Sequence, residues 1–285
     1  MDLFVRKNNG EKEDFSFEKI YQSLQRVGVP KSLANSAVKE IKKKVYPGIK
    51  TKEIAHLISE YFKKKNLGYA LKFNLKEGMK KLGPTGFPFE KYIGEIFAVK
   101  GFEVKLNQII RGCCSDYEID FTARKDTLFY IGECKFRRLF KGKVHLDVAL
   151  ANYARFLDIK KEIEKKKELK GLKVKSILVT NRKFTTKTIS YSKCVGVDLL
   201  GWRYPSDKGL EFLIEEEKLY PITILPSLDR YTSRLFISRR ITLVKDLLDI
   251  DLVLLSKETG VELKQLKSLQ MEAKVLLSLK GRSKR

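Results

Sequence analysis

What most constrains this chain is a break in its hydrophobic pattern at Gly83-Pro84-Thr85-Gly86. Two permissive glycines around a ring-locked proline end any regular element. Before the break, apolar residues recur at helical spacing. After it, one helical pattern gives way to short strand patterns, so two differently built cores are expected. A chain of 285 residues also exceeds the roughly 250 that a single core usually spans. We therefore expect three segments, 1-82, 83-205 and 206-285.

In the first segment, Leu3 to Lys7 and Asp14 to Phe17 read as short strands around Asn8-Asn9-Gly10, a strong hairpin signal. Helical patterns follow at Phe17 to Val27, at Leu33 to Tyr46 after Pro30, at Thr51 to Lys65 with Thr51 as N-cap, and at Gly68 to Lys81. A small helical bundle capped by a β hairpin is predicted. The second segment reads as a helix with Phe89, Tyr92, Ile93, Ile96 and Phe97 on one face, then strands at Phe102 to Leu106, Tyr117 to Ala123 and Leu128 to Phe136. A long helix from His145 to Lys170, a strand at Val174 to Thr180 and a helix from Thr185 complete it. That order predicts an α/β fold, a mixed sheet flanked by helices. Past Trp202-Arg203-Tyr204-Pro205, helical patterns at Leu243 to Leu255 and Leu263 to Leu279 predict a C-terminal helical region.

Charge narrows the partners. Fifty-nine Lys and Arg against 35 Asp and Glu leave a formal charge of +24, a field that favours polyanions, and nucleic acid is the expected partner. The run Lys160 to Lys175 interleaves Glu162, Glu164 and Glu168 at helical spacing and reads as a solvated face. The basic tail Lys280 to Arg285 can touch phosphates without specificity. Cys113, Cys114, Cys134 and Cys194 contain no C-x-x-C pair and stand beside only two histidines. Reduced thiols are expected rather than disulfides or a zinc site. No sustained apolar stretch opens the chain, and Ile241 to Leu255 is interrupted by Lys245, Asp246, Asp249 and Asp251. Neither secretion nor a membrane span is predicted, and the expected location is the cytoplasm.

One constellation carries chemistry. Asp120 lies in one predicted strand, and Glu133-Cys134-Lys135 lies in the next. Alternation along a strand puts Glu133 and Lys135 on one face and turns Cys134 into apolar packing. Asp120 and Glu133 would offer hard oxygen ligands to Mg²⁺ or Mn²⁺, and Lys135 would orient or help deprotonate a water. Glu90, at the start of the preceding helix, could add a fourth group. Alternation would also put Asp116 and Glu118 on the face of Asp120, so Glu118 is a further candidate. Glu-x-Lys recurs through the chain on solvated helices; this copy differs in lying inside an apolar strand, where charges are costly unless paired or metal-bound. An edge strand with one wet face is the alternative.

Two resemblances bear on these residues. Phe89-Glu90, Asp116-x-x-x-Asp120, Glu133-Cys134-Lys135 and Val179-Thr180-Asn181-Arg182-Lys183-Phe184-Thr185 resemble the Mrr-like restriction endonucleases of the PD-(D/E)XK nuclease superfamily. That resemblance spans roughly Gly86 to Pro205. It implies a restriction-endonuclease-like core with Asp120, Glu133 and Lys135 as the catalytic set and Glu90 as accessory acid. Val5-Arg6-Lys7-Asn8-Asn9-Gly10, Phe17-Glu18-Lys19-Ile20 and Tyr69-Ala70-Leu71-Lys72 resemble the ATP-cone, a regulatory nucleotide-binding module. It implies that Lys7 and Lys19 contribute to a site for ATP or dATP. No G-x-x-x-x-G-K-[ST] loop is present to suggest a different nucleotide site.

Together these features point to a metal-dependent DNA endonuclease whose activity responds to ATP or dATP, acting in restriction or phage defence. One active site cuts one strand, so double-strand cleavage would call for a homodimer, a higher homo-oligomer or two sequential events. The alternative is a non-catalytic, nucleotide-sensing DNA-binding regulator built on a nuclease-like fold.

Overall fold

The computed structural model describes residues 3–6, 10–83, 86–137, 142–166 and 171–279. The predicted turn at Asn8-Asn9, Lys7, Pro84-Thr85, the middle of the charged run at 167–170 and the basic tail lie outside the described residues. The chain divides into two compact units, residues 1–79 with 215–285, and residues 80–214.

In the first unit, β1 (Phe4–Arg6) pairs antiparallel with β2 (Lys12–Asp14). It also pairs in parallel with β3 (Ile49–Lys50), a strand the sequence pattern does not reveal because it is only two residues long. Four helical stretches follow the predicted order. α1 (Phe17–Arg26) is capped by Ser16, whose hydroxyl accepts the Lys19 N–H. α2 is Lys31–Lys42, and α3 is Thr51–Lys65. Thr51 opens α3 rather than capping it, because extended Lys50 still belongs to the sheet. The predicted helix over Gly68 to Lys81 is two helices, α4 (Leu67–Phe73) and α5 (Leu75–Lys81), separated at Asn74. Val5, Ile20, Leu24, Ile41, Ile49, Ile54, Ile58 and Phe62 form the common core, held by the usual gain from removing apolar surface from water.

From Glu215, near the end of the next helix, the C-terminal stretch belongs to this same unit. α9 (Leu210–Glu216) is followed by a 3-10 turn at Ile222–Ile224, and then by α10 (Arg230–Ser238), α11 (Leu252–Thr259) and α12 (Leu263–Ser278). Two glycines allow the close packing of α4 and α5 against the C-terminal stretch. A Cβ on Gly78 would lie 2.8 Å from Ile224 Cα, and one on Gly68 would lie 2.6 Å from Leu279 Cδ1. Lys72 of α4 and Glu215 of α9 form an ion pair of 3.0 Å, each side chain 1% exposed. Charges so deeply buried persist only when paired.

The second unit opens with α6 (Phe87–Val99) and continues with β4 (Glu103–Arg111), β5 (Asp116–Lys125) and β6 (Leu128–Lys135). Then come α7 (Leu146–Lys165), β7 (Lys173–Thr180), α8 (Thr186–Val195) and the short β8 (Asp198–Leu200). The sheet order is β4-β5-β6-β7-β8, antiparallel over the first three strands and parallel over the rest. This is the mixed sheet expected of the pattern, with β8 added by a three-residue strand too short to read in advance. Phe97 of α6 packs on Phe121 and Tyr130, while Ile119 and Ile131 pack with Phe156, Ile159 and Ile163 of α7. Trp202 is buried, and Tyr204 packs edge-on against Phe184, so this aromatic pair serves the core.

Candidate active site and nucleotide pocket

β5 changes the face it presents at Asp120. Phe121 meets Phe97 of α6 at 5.1 Å between ring centroids, whereas Ile119, two residues earlier, packs with Phe156 of α7. Residues two apart on a regular strand share a face, so the chain turns over at Asp120. The facing strand does the same. Asn107, between the pairs Leu106↔Phe121 and Gln108↔Ile119, has φ of 50°, in the left-handed region that asparagine tolerates better than most. Simple alternation from Asp116 through Glu118 to Asp120 therefore does not hold across this point.

The β5–β6 ladder ends here too. Its last rung is Phe121↔Gly132, one residue short of Asp120 and Glu133, while β6 stays paired with β7 through Lys135↔Thr180. Asp120 replaces the missing rung with its side chain: Oδ2 accepts the Cys134 backbone N–H at 2.6 Å. Glu133 turns to α7, where its Oε2 accepts from Arg155 Nη1 at 2.7 Å. Thr180 Oγ1 donates to the Lys135 carbonyl at 2.6 Å, and Asn181 accepts the Arg137 N–H at 3.0 Å, fixing the exit of β6. Cys134 is buried, as its place on the strand predicts.

Glu90 completes the acidic group from the first turn of α6. Its carboxylate folds back over Gly86, where a Cβ would sit 2.7 Å from Oε1. Burial first, then the nearby charges of Asp120, Glu133 and Glu118, push the Glu90 carboxyl up to about 7. Asp120 is pushed up to about 6 by burial and Glu133, against the lowering effect of the Cys134 N–H and Arg155. Asp120 and Glu133 thus both act on Glu90, and Glu133 acts on Asp120, a repulsion that a bound cation would relieve. Arg155 was not among the sequence candidates, since only the packing of α7 on the sheet brings it to Glu133. His56 and His145 lie on α3 and at the N-cap of α7.

A second cluster lies at the β4–β5 turn. The thiols of Cys113 and Cys114 and the Asp158 carboxylate approach within 4.8 Å of one another. Asp158 is occupied in holding the turn, accepting the Cys114 N–H at 2.9 Å and the Ser115 N–H at 3.3 Å. Those hydrogen bonds hold its carboxyl below the usual range. Both cysteines are exposed and unbridged in this turn.

In the first unit a cavity of about 220 Å³ is lined by Val5, Glu13, Ser16, Lys19, Thr51 and Ile58, among others. It lies among the hairpin, α1 and α3. Lys19 lines it and is ion-paired with Glu13. Lys7, the other candidate, lies outside the described residues.

Comparison with known proteins agrees with part of this reading. Residues 3–74 match the ATP cone domain, and residues 220–277 match the AF1548-like C-terminal domain. An uncharacterized protein of Archaeoglobus fulgidus is 42% identical over 127 residues, which is 44% of this chain and 66% of that relative. The crystal structure of the protein of unknown function AF1548 aligns with a TM-score of 0.58 at 32% identity, over 68% of this chain and 100% of that one. Among the described residues no helix is long and apolar enough to cross a membrane. The identity and the full coverage of that structure place the chain in the AF1548 family, with an ATP-cone domain at residues 3–74.

Proposed function

We propose that this protein is a metal-dependent DNA endonuclease regulated by nucleotide binding to its ATP-cone. The observation that carries the reading is the end of the β5–β6 ladder. There Asp120 of β5 and Glu133 of β6 stand one residue past the last shared rung, while β6 remains paired with β7, with Lys135 two residues on and Glu90 nearby. This is the arrangement that the resemblance to Mrr-like nucleases assigns to catalysis, and it supports a restriction-endonuclease-like core. The donor set fits a hard divalent cation: two neighbouring carboxylates, of which Asp120 is raised by the charge of Glu133, are the ligand type that Mg²⁺ and Mn²⁺ prefer. Such an ion, held by Asp120 and Glu133, supplies Lewis-acid chemistry at the scissile phosphate. Lys135 would orient the attacking water and offset negative charge at the phosphate, and Glu90, titrating near neutrality, would hold or move a proton beside it.

The ATP-cone match and the cavity at Lys19 support a nucleotide effector, ATP or dATP. Its phosphates would compete with Glu13 for Lys19. The net charge of +24 supports DNA as substrate, and a homodimer would allow both strands to be cut. A role in restriction or phage defence follows from the same resemblance.

One observation favours the second reading, a non-catalytic regulator. Both acids already have protein partners, Asp120 at the Cys134 N–H and Glu133 at Arg155. The test is incubation of supercoiled plasmid, methylated or not, with Mg²⁺ or Mn²⁺, with and without ATP or dATP. Nicking that requires the metal and disappears in Glu133→Ala supports the nuclease. Salt-sensitive DNA binding without cleavage under any of these conditions supports the regulator.

A further inference from the structure

The C-terminal stretch exposes a basic and aromatic surface that the proposed nuclease site does not use. On α10, Arg230, Tyr231 and Arg234 are all exposed and lie within about one third of the helix circumference at 100° per residue. Tyr231 is 68% exposed, which leaves its ring face open to solvent. No acidic residue occurs within Arg230–Ser238.

The neighbouring helix repeats the pattern. Lys264, Lys267, Met271 and Lys274 are the exposed residues of α12 over that span and follow one stripe. The single acid of α12, Glu272, is turned inward, where its Oε1 accepts from Ser227 Oγ at 2.6 Å. The two stripes flank one contact. Gln265 of α12 donates to Asp229, the N-cap of α10, at 2.7 Å, and Ser227 and Ser268 lie 3.3 Å apart. Lys264 precedes one partner in this contact, and Arg230 follows the other.

We infer that this surface docks a single-stranded stretch of nucleic acid, with a base stacked on Tyr231 and phosphates held by Arg230, Arg234 and the α12 lysines. The chemistry selects the occupant. Cationic groups on both helices, unneutralised within those helices, complement a phosphate chain, and an exposed tyrosine ring beside two arginines offers a stacking face that a paired base cannot reach. The inference takes its ligand class from the reading above and adds the form of the substrate, DNA with an unpaired segment.

The test is fluorescence anisotropy of the full-length protein with a labelled single-stranded oligodeoxythymidine and with a blunt duplex. Arms without metal separate binding from cleavage. Tyr231→Ala should weaken single-strand binding by roughly fivefold or more, and Tyr231→Trp should restore it. Arg230→Ala/Arg234→Ala should reduce the slope of log affinity against log salt by about 1.4, the share of two single-strand phosphates. All of these side chains are exposed, so thermal melting should be unchanged.

Single-strand binding that is indifferent to Tyr231→Ala would overturn the inference. So would an equal loss for duplex and single strand. A nuclease that cuts normally with these variants while Glu133→Ala does not cut would leave the catalytic reading standing without this surface. Stacking-dependent binding in a protein that never cuts would do the reverse.

Discussion

The Asp120 carboxylate accepts the Cys134 backbone N–H at 2.6 Å, across the gap where the β5–β6 ladder has stopped. One side chain thus does two tasks: it closes the sheet and places a carboxylate beside Glu133. The tasks separate by mutation. Asp120→Asn keeps an oxygen for the Cys134 N–H and should melt within a few degrees of wild type, yet bind Mn²⁺ at least about tenfold more weakly. Asp120→Ala loses both, with a further destabilisation of about 1–2 kcal/mol for the orphaned N–H. Calorimetric titration with Mn²⁺ and thermal melts read the two effects independently. Equal Mn²⁺ affinity in wild type and Asp120→Asn would remove Asp120 from the metal site.

Glu90 gives the site a pH signature. Its carboxyl rises from the ordinary 4.5 to about 7 in the fold, so between those values the native state binds more protons than the unfolded chain. The contribution is complete below pH 4.5 and is lost as pH rises to about 7, so stability falls across that window. Discounted for partial exposure, the effect is about 1 kcal/mol. Glu90→Gln should therefore match wild type at pH 4, exceed it by about that amount at pH 8, and flatten the profile between. Urea midpoints at the two pH values check this, and a wild type that gains stability between pH 5 and 7 would contradict it.

The element order and the mixed sheet are legible in the sequence, because burial on both faces leaves continuous apolar runs such as Ile177-Leu178-Val179 in the strands. Four features resisted reading. β3 and β8 are too short to carry a period. The reversal of face at Asn107 and Asp120 breaks the alternation on which the placing of Glu118 depended. The partnership of Arg155 with Glu133 depends on how α7 lies against the sheet, which spacing within one element cannot convey. The C-terminal stretch reads as separate in sequence, yet it packs with the N-terminal helices, because Gly68 and Gly78 look unremarkable until their neighbours are known.

Gly132 sits directly opposite Phe121 on the last rung before the acids. A Cβ there would lie 2.2 Å from Phe121 Cε1, with two more ring carbons within 2.6 Å. The ring is held by Phe97 and has little room to yield. Gly132→Ala should cost about 1–3 kcal/mol by overpacking and shift Asp120 against Glu133. Gly132→Ala/Phe121→Leu should regain much of that stability by clearing the ring. Paired chemical denaturation curves test this, and a single variant as stable as wild type would show that the strands part without strain.

The buried ion pair between Lys72 and Glu215 makes a sharper demand. Both side chains are 1% exposed and 3.0 Å apart, and Tyr220 donates to the Glu215 carboxylate at 2.9 Å. Removing one charge leaves the other buried without its partner, at a cost of about 3–5 kcal/mol. Lys72→Met alone should therefore destabilise the first unit strongly, whereas Lys72→Met/Glu215→Gln, which removes both charges, should recover most of the loss. Because Lys72 belongs to the ATP-cone and Glu215 to the C-terminal stretch, the pair also ties the folding of the two segments together. Melting of Lys72→Met, followed by amide exchange at Leu24 in the cone and at Leu266 in α12, should show protection falling in both segments. Loss confined to residues 3–74 would mean that the cone opens independently of the helices packed against it.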